Sequence, residues 1–213
     1  MAEEREDIEQ LYRRIGDILV SRGIKSCTMD RVAAELGMSK RTLYEIFSSK
    51  EEMISRVMQY IQKVQLERTE ERFRNASNVM EGLALHIFYT QKYISSISPE
   101  FFRDMHRHHR LMADFEQKER EIYQRTTHLL QCGIREGVFR EDVDYPVTMT
   151  LLRLQFESLN CMRENFPPDV TLAQAFHTIA ISFLRSIATI DGLKILEDIS
   201  KKFPVQTKPT PEA

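Results

Sequence analysis

Apolar side chains recur every three or four residues through most of the chain, the spacing of amphipathic helices rather than of strands. Ile8, Leu11, Tyr12, Ile15, Ile18 and Leu19 predict a first helix that stops near Gly23. Met29, Val32, Ala33 and Leu36 predict a short second one, and Leu43 with Phe47 the inward stripe of a third. Ser49-x2-Glu52 has the form of a capping box and opens a long fourth helix to about Arg74, with Met53, Ile54, Val57, Met58 and Ile61 inward. Further helices are expected over Val79 to Ile97, after Ser98-Pro99-Glu100, and over Leu111 to Glu136, ended by Gly137. Asp144 and Pro146 open another lasting to about Asn165, where Phe166-Pro167-Pro168-Asp169 breaks it. Thr171 to about Ile190 and Gly192 to Lys202 complete an all-α chain. Residues 204–213 carry no apolar periodicity and are expected to be a disordered tail.

The chemistry concentrates between residues 28 and 50. Thr28 can cap the second helix, with Asp30 complementing the dipole in its first turn. Gly37 follows Leu36, where a left-handed residue is cheapest as glycine, and Ser39 can cap the next helix two residues later. The chain therefore reverses within about three residues, a helix-turn-helix. Met38, Leu43 and Phe47 anchor the third helix inward. At 100° per residue, Arg41, Thr42, Tyr44 and Glu45 then project outward, with Lys40 at the edge beside the helix N-terminus, where phosphate binds favourably. Lys40 and Arg41 oppose the dipole of their own helix, so simple solvation does not account for them and a DNA contact is the better reading. Tyr44 suits a phosphate contact better than a core position, and Glu45 can accept from a cytosine amino group or brace Arg41 one turn away.

The run Thr28-x3-Val32-Ala33-x2-Leu36-Gly37-Met38-Ser39-x2-Thr42-Leu43-Tyr44-x2-Phe47-x2-Lys50-Glu51-Glu52 resembles the DNA-binding domain of the TetR family of one-component bacterial transcription regulators. The resemblance covers about a quarter of the chain. It implies a homodimer of all-helical subunits. Each subunit would have an N-terminal three-helix DNA-binding domain, residues 1–50, and a larger domain, 51–203, that binds a small effector and dimerises. It also implies that Thr28, Ser39, Lys40, Arg41, Thr42, Tyr44, Glu45 and Lys50 meet DNA, with Lys50 on a phosphate. The sequence departs from the family at Ile46, where many members have His or Tyr, and at Asp30, where some carry a basic residue.

Charge becomes informative only once it is located. The chain of 213 residues has a net charge of −2, yet Arg13 to Lys50 holds eight Lys or Arg against four Asp or Glu. Seven Gly, seven Pro and 42% apolar residues suit long helices with short loops. No apolar run approaches the roughly 18 residues of a membrane span, and MAEEREDIEQ is acidic rather than signal-like, so no membrane partner and a cytoplasmic location are expected. Cys27, Cys132 and Cys161 are widely spaced without a CxxC and read as free thiols.

The C-terminal two-thirds gives weaker signals. The two helices from Pro146 to Asn165 and Thr171 to Ile190 match in position the pair through which family members dimerise. Leu152, Phe156, Leu159, Phe176, Ile179, Phe183 and Ile187 keep helical spacing there. Phe88, Tyr89, Phe102, Met105, Phe115, Tyr123 and Phe156 are candidates for lining an effector cavity, alongside Tyr93, Phe101, Met149 and Met162, although such stripes are by default ordinary core. His106 and His109, three apart, could share a metal with Asp104 or His108, but a solvated basic helix end is the better account and neither metal nor cofactor is expected. Paired carboxylates, Gly-rich phosphate loops and nucleophile triads are not evident, so an enzyme is not expected. The expected partners are double-stranded DNA, an unidentified small molecule and a second copy of the chain. A ligand-released repressor on a palindrome is the leading reading, and an activator or DNA-binding scaffold the alternative.

Overall fold

The computed structural model describes residues 2–105, 124–161, 166–167 and 169–203, and every regular element among them is helical. In chain order these are α1 (Ala2–Arg22), α2 (Met29–Leu36), α3 (Lys40–Ile46), α4 (Lys50–Asn75), α5 (Val79–Ser95) and α6 (Pro99–Met105). They continue with α7 (124–135), α8 (Tyr145–Glu157) followed by a 3-10 turn (Ser158–Cys161), α9 (Leu172–Ile187) and α10 (Ile190–Lys202). An isolated antiparallel bridge joins Phe139 to Ala188. None of the described helices is long and apolar enough to cross a membrane. The chain divides into two compact units, residues 1–70 with 96–119 and residues 71–95 with 120–213.

In the first unit, Ile15 and Leu19 of α1, Leu43 of α3, Phe47 just beyond it, and Met53, Ile54 and Val57 of α4 are almost wholly excluded from water. Removing each such side chain from water contributes on the order of 1.5–3 kcal/mol. Together with Met29, Val32 and Ala33 of α2, the first four helices thus share one small core. The unit also takes in α6, which the sequence does not place there. Ser98 donates its N–H to the Val20 carbonyl at 2.9 Å, its hydroxyl caps α6 by accepting from Phe101, and Phe101 enters the core. Asp104 of α6 accepts the Lys25 N–H at 2.7 Å.

In the second unit, α9 and α10 pack on α5 around Met80, Ala84, Ile87, Phe139, Leu184, Ile187 and Leu196. Thr171 and Gln174 form a reciprocal capping box at the start of α9, so this helix begins where its sequence predicts.

Three expected boundaries are corrected. The helix from Pro146 ends as an α-helix at Glu157 and tightens to 3-10 geometry over Ser158–Cys161, and the rest of its expected span, 162–165, lies outside the described residues. The break between the last two helices lies at Ala188 and Thr189, with Thr189 capping α10 through the Gly192 N–H, two or three residues ahead of the expected break at Asp191. Gly192 belongs to the helix because a Cβ there would sit 2.2 Å from the Val138 carbonyl oxygen. At the start of α4, Ser49 caps Glu52, but the Glu52 carboxylate returns to the Ser48 N–H at 2.8 Å and to the Ser48 hydroxyl, one residue earlier than a capping box requires. Those two bonds, the hydroxyl's foremost, hold the Glu52 carboxyl below its ordinary pKa.

Candidate nucleic-acid interface

The turn between α2 and α3 is built as its residues dictate. Thr28 accepts the Arg31 N–H and Ser39 accepts the Thr42 N–H, so each helix has its first orphan donor satisfied by a side chain. Gly37 adopts φ +70°, and its N–H with that of Met38 closes onto the Ala34 and Ala33 carbonyls. Leu43 and Phe47 are fully buried, and Met38, Leu36 and Ile46 pack at the edge of the same core. The opposite side of α3 is therefore turned to water. Thr28, Ser39, Lys40, Arg41, Thr42, Tyr44 and Glu45 are all exposed, Tyr44 by half of its surface, and Lys50 is half-buried.

Most of the cations around this face are engaged. Lys40 Nζ lies 2.6 Å from Asp30 Oδ2, and Arg41 Nε lies 2.9 Å from Glu45 Oε1. Arg31 and Arg22 both reach Glu35, at 3.2 and 2.7 Å. Lys50 Nζ donates to the Lys25 carbonyl at 3.2 Å. Ser39 and Thr42 hydroxyls are 2.8 Å apart. Sequence reasoning anticipates the Arg41–Glu45 brace from i,i+4 spacing but misses Asp30–Lys40, whose partners stand ten residues apart on different helices.

It also misses Arg56 of α4. Its guanidinium donates to the Ile46 carbonyl at 3.0 Å, in the last turn of α3, and lies 5.3 Å from the Phe47 ring centroid and 5.7 Å from that of Tyr12. A cation at the C-terminal end of α3 suits both the open carbonyl and the dipole, and fixes the helix that carries the outward residues. Cys27, immediately before this segment, is buried, and that burial pushes its thiol up to about 11. It is a packing residue.

The described candidates for an effector site are distributed over both units. Phe88 is buried in the second unit, its ring 5.6 Å from that of Phe203 and 5.3 Å from His177. Tyr89 is exposed, with Arg72 4.3 Å above its ring. Phe156 stacks on Phe176 at 5.4 Å. Phe102 stands in the first unit, edge-on to Phe101. Phe115, Tyr123, Met162 and the Met105 side chain lie outside the described residues, as do His106, His108, His109 and the 204–213 tail. His177 is a residue the sequence does not single out. Its Nδ1 is buried without a hydrogen-bond partner among the described residues, and burial lowers the ring's pKa, which favours the neutral imidazole.

Of the residues expected at a subunit interface, Ile187 is fully buried in its own protomer, whereas Leu152, Phe156, Leu159, Phe176, Ile179 and Phe183 are half-buried. The exposed apolar row is a different one. Val147, Leu151 and Leu154 of α8, at i, i+4 and i+7, are 54%, 55% and 48% exposed.

Comparison with known proteins agrees with this geometry. Residues 17–57 match the family described as bacterial regulatory proteins, tetR family. No curated protein matches the chain. Among solved structures, the chain is similar to a transcriptional regulator from Cytophaga hutchinsonii ATCC 33406, with TM-score 0.66 and 16% identity over 86% of this chain and 99% of that one. It is also similar to a transcriptional regulator from Saccharomonospora viridis in complex with choline, with TM-score 0.60 and 15% identity over 89% of this chain and all of that one. A third is the ketosteroid transcriptional regulator KstR2 of Mycobacterium tuberculosis, with TM-score 0.53 and 21% identity over 84% and 94% of the two chains.

Proposed function

We propose that this chain, a TetR-family DNA-binding regulator by its residues 17–57 and its helical fold, is a homodimeric repressor that grips a palindromic operator and is released by a small molecule. The observation that carries the DNA-binding half is the α3 face. A capped helix is held by Leu43, Phe47 and Arg56 and turns Lys40, Arg41, Thr42, Tyr44 and Glu45 to solvent. In this reading Arg41 and Glu45 address base edges, Tyr44, Thr28, Ser39 and Lys50 hold phosphates, and Lys40 and Thr42 contribute from the helix start. A single helix of this length touches only a few base pairs, so useful specificity requires two half-sites about one helical turn apart or more.

The second copy has a surface to use. Val147, Leu151 and Leu154 form an apolar row on α8 that water does not favour leaving open, and α9, which packs on α8, carries the half-buried Phe176, Ile179 and Phe183. This supports a dimer through α8 and α9, with the outward row as its centre. For the effector, support comes from the choline bound in the Saccharomonospora viridis structure and from His177, whose ring stands beside Phe88 and whose buried Nδ1 has no hydrogen-bond partner among the described residues. A buried ring nitrogen beside an aromatic ring fits a small ligand that carries one hydrogen-bonding group. Ligand that favours one packing of the second unit lowers operator affinity by its differential binding energy, and a coupling of about 1–3 kcal/mol suffices.

Selection of duplexes from a random pool by the full-length protein, repeated in the presence of a metabolite panel, tests both halves. A palindromic consensus lost on adding one compound is the expected result. A consensus that no compound weakens favours the scaffold reading, and no enrichment of any duplex overturns the proposal.

A further inference from the structure

The cations of the α3 face are held by carboxylates of the same unit, and this arrangement bears on how the protein avoids the wrong DNA. Lys40 is the first residue of α3 and Asp30 lies in the first turn of α2; their 2.6 Å ion pair joins the two helices across the turn. Arg41 and Glu45 pair along α3 itself. Both pairs are exposed, Arg41 by 89% of its side chain, so neither is needed to hold the core together. Exposed pairs of this kind contribute little to folding. Their effect lies elsewhere.

We infer that Asp30 and Glu45 are specificity residues, which keep Lys40 and Arg41 from binding phosphate indiscriminately. The inference rests on the DNA-binding reading above and adds to it residues whose role is repulsive. Non-specific affinity comes almost entirely from cations that neutralise phosphates and release counterions. A cation already paired with a carboxylate releases fewer, and its carboxylate is repelled by the same phosphates. On arbitrary DNA the two pairs therefore reduce affinity. At the operator, Arg41 exchanges Glu45 for a base edge, and Glu45 is compensated wherever a cytosine amino group is within reach. Discrimination arises from the penalty at wrong sites as much as from interactions at the right one. Asp30 acts through Lys40, its ion-pair partner across the turn.

The test compares the intact dimer with its Asp30→Asn, Glu45→Gln and doubly substituted variants. Each is titrated with the selected operator and with a random-sequence duplex between about 50 and 300 mM salt. Each single change should tighten random-duplex binding by about threefold to tenfold and steepen its salt dependence by about 0.9 in log–log slope, as one more cation reaches phosphate. Operator affinity should rise less or fall, so that the ratio of the two affinities declines. Lys40→Ala added to Asp30→Asn should cancel the gain. Asp191→Asn, which removes an equal charge paired with Lys194 in the second unit, should leave slope and ratio as in the unaltered protein. Unchanged slopes in Asp30→Asn and Glu45→Gln would overturn the inference, and so would equal tightening on both duplexes, which would mark a general charge effect. Failure of the unaltered protein to bind any duplex would instead overturn the function itself.

Discussion

Arg41 and Lys50 are fixed to different things, and each should fail in its own way. Arg41 pairs with Glu45 and has nearly its whole side chain in water, so it is free to reorient toward a base edge. Lys50 is half-buried and tied to the Lys25 carbonyl, a position from which an ammonium holds phosphate without choosing sequence. Arg41→Ala should therefore cost the operator about 1–3 kcal/mol and random DNA much less, whereas Lys50→Ala should weaken both and flatten the salt slope by about 1. Equal losses on both duplexes at Arg41 would reduce it to a phosphate contact. Cys27 makes a prediction of the opposite sort, that nothing happens. Its folded pKa of about 11 lies above the ordinary thiol value of 9.0, so the protonated form is favoured in the fold, and the associated stability is present below pH 9 and lost only as pH rises through 11. At a pH of about 7.5, alkylation followed by peptide mass mapping should leave Cys27 unmodified in the native protein and modify it after denaturation. Labelling of native Cys27 at the rate of a free thiol would contradict its burial.

At the scale of elements, what the sequence announces and what it conceals divide along sequence distance. The caps at Thr28, Ser39 and Thr171 and the left-handed Gly37 are legible because each satisfies its own neighbours within three or four residues. The inward stripe of α3 is legible for the same reason, and with it most of the outward face. Why position 192 within α10 takes glycine is not legible, because its reason lies more than fifty residues away, at the Val138 carbonyl that fills the place of a Cβ. The 3-10 ending of α8 carries no local signal, and α6 joins the first unit through the Val20 carbonyl and Phe101, which no periodicity identifies. Arg56 belongs to this concealed class. It caps α3 from α4 and lies over Phe47 and Tyr12, so Arg56→Ala should loosen the far end of the reading helix. The expected loss is about 1 kcal/mol of stability, discounted for its partial exposure, with weaker operator binding. Because Arg56 meets protein rather than phosphate in this arrangement, the salt slope should stay as it is; a slope flattened by about 1 would reassign it to DNA.

For the molecule as a whole, two surfaces decide behaviour in solution, one half-buried and one open. Half-buried in the second unit is His86, near the Phe73 ring, whose pKa is lowered to about 4 by desolvation first and by the Arg72 charge second. A depressed histidine is neutral in the fold and protonates more readily when unfolded. Its contribution is therefore complete above about pH 6.5 and is lost as pH falls toward 4, on the order of 2–3 kcal/mol. Thermal melts from about pH 7 to 4 should show Tm falling over this window, and falling less in His86→Gln; equal falls would assign the acid sensitivity to other groups. Open to water is the row Val147, Leu151 and Leu154. A charge placed there disturbs no packing within the protomer, so Leu151→Glu should fold with unchanged Tm when melting is measured at concentrations too low for association. Carboxylates facing each other across the two-fold axis of the proposed dimer, where two apolar side chains would otherwise meet, should leave it monomeric by sedimentation, whereas the unaltered protein should sediment as a dimer. Each monomer would still carry an intact α3, so binding to random DNA should decline only modestly. Operator affinity should fall by about a hundredfold or more, because the second half-site no longer benefits from the first. Leu152→Glu, one residue along but turned inward, should instead lower Tm, and that contrast separates loss of the partner from loss of the fold. A Leu151→Glu protein that remains dimeric on sedimentation would move the interface away from this face of α8.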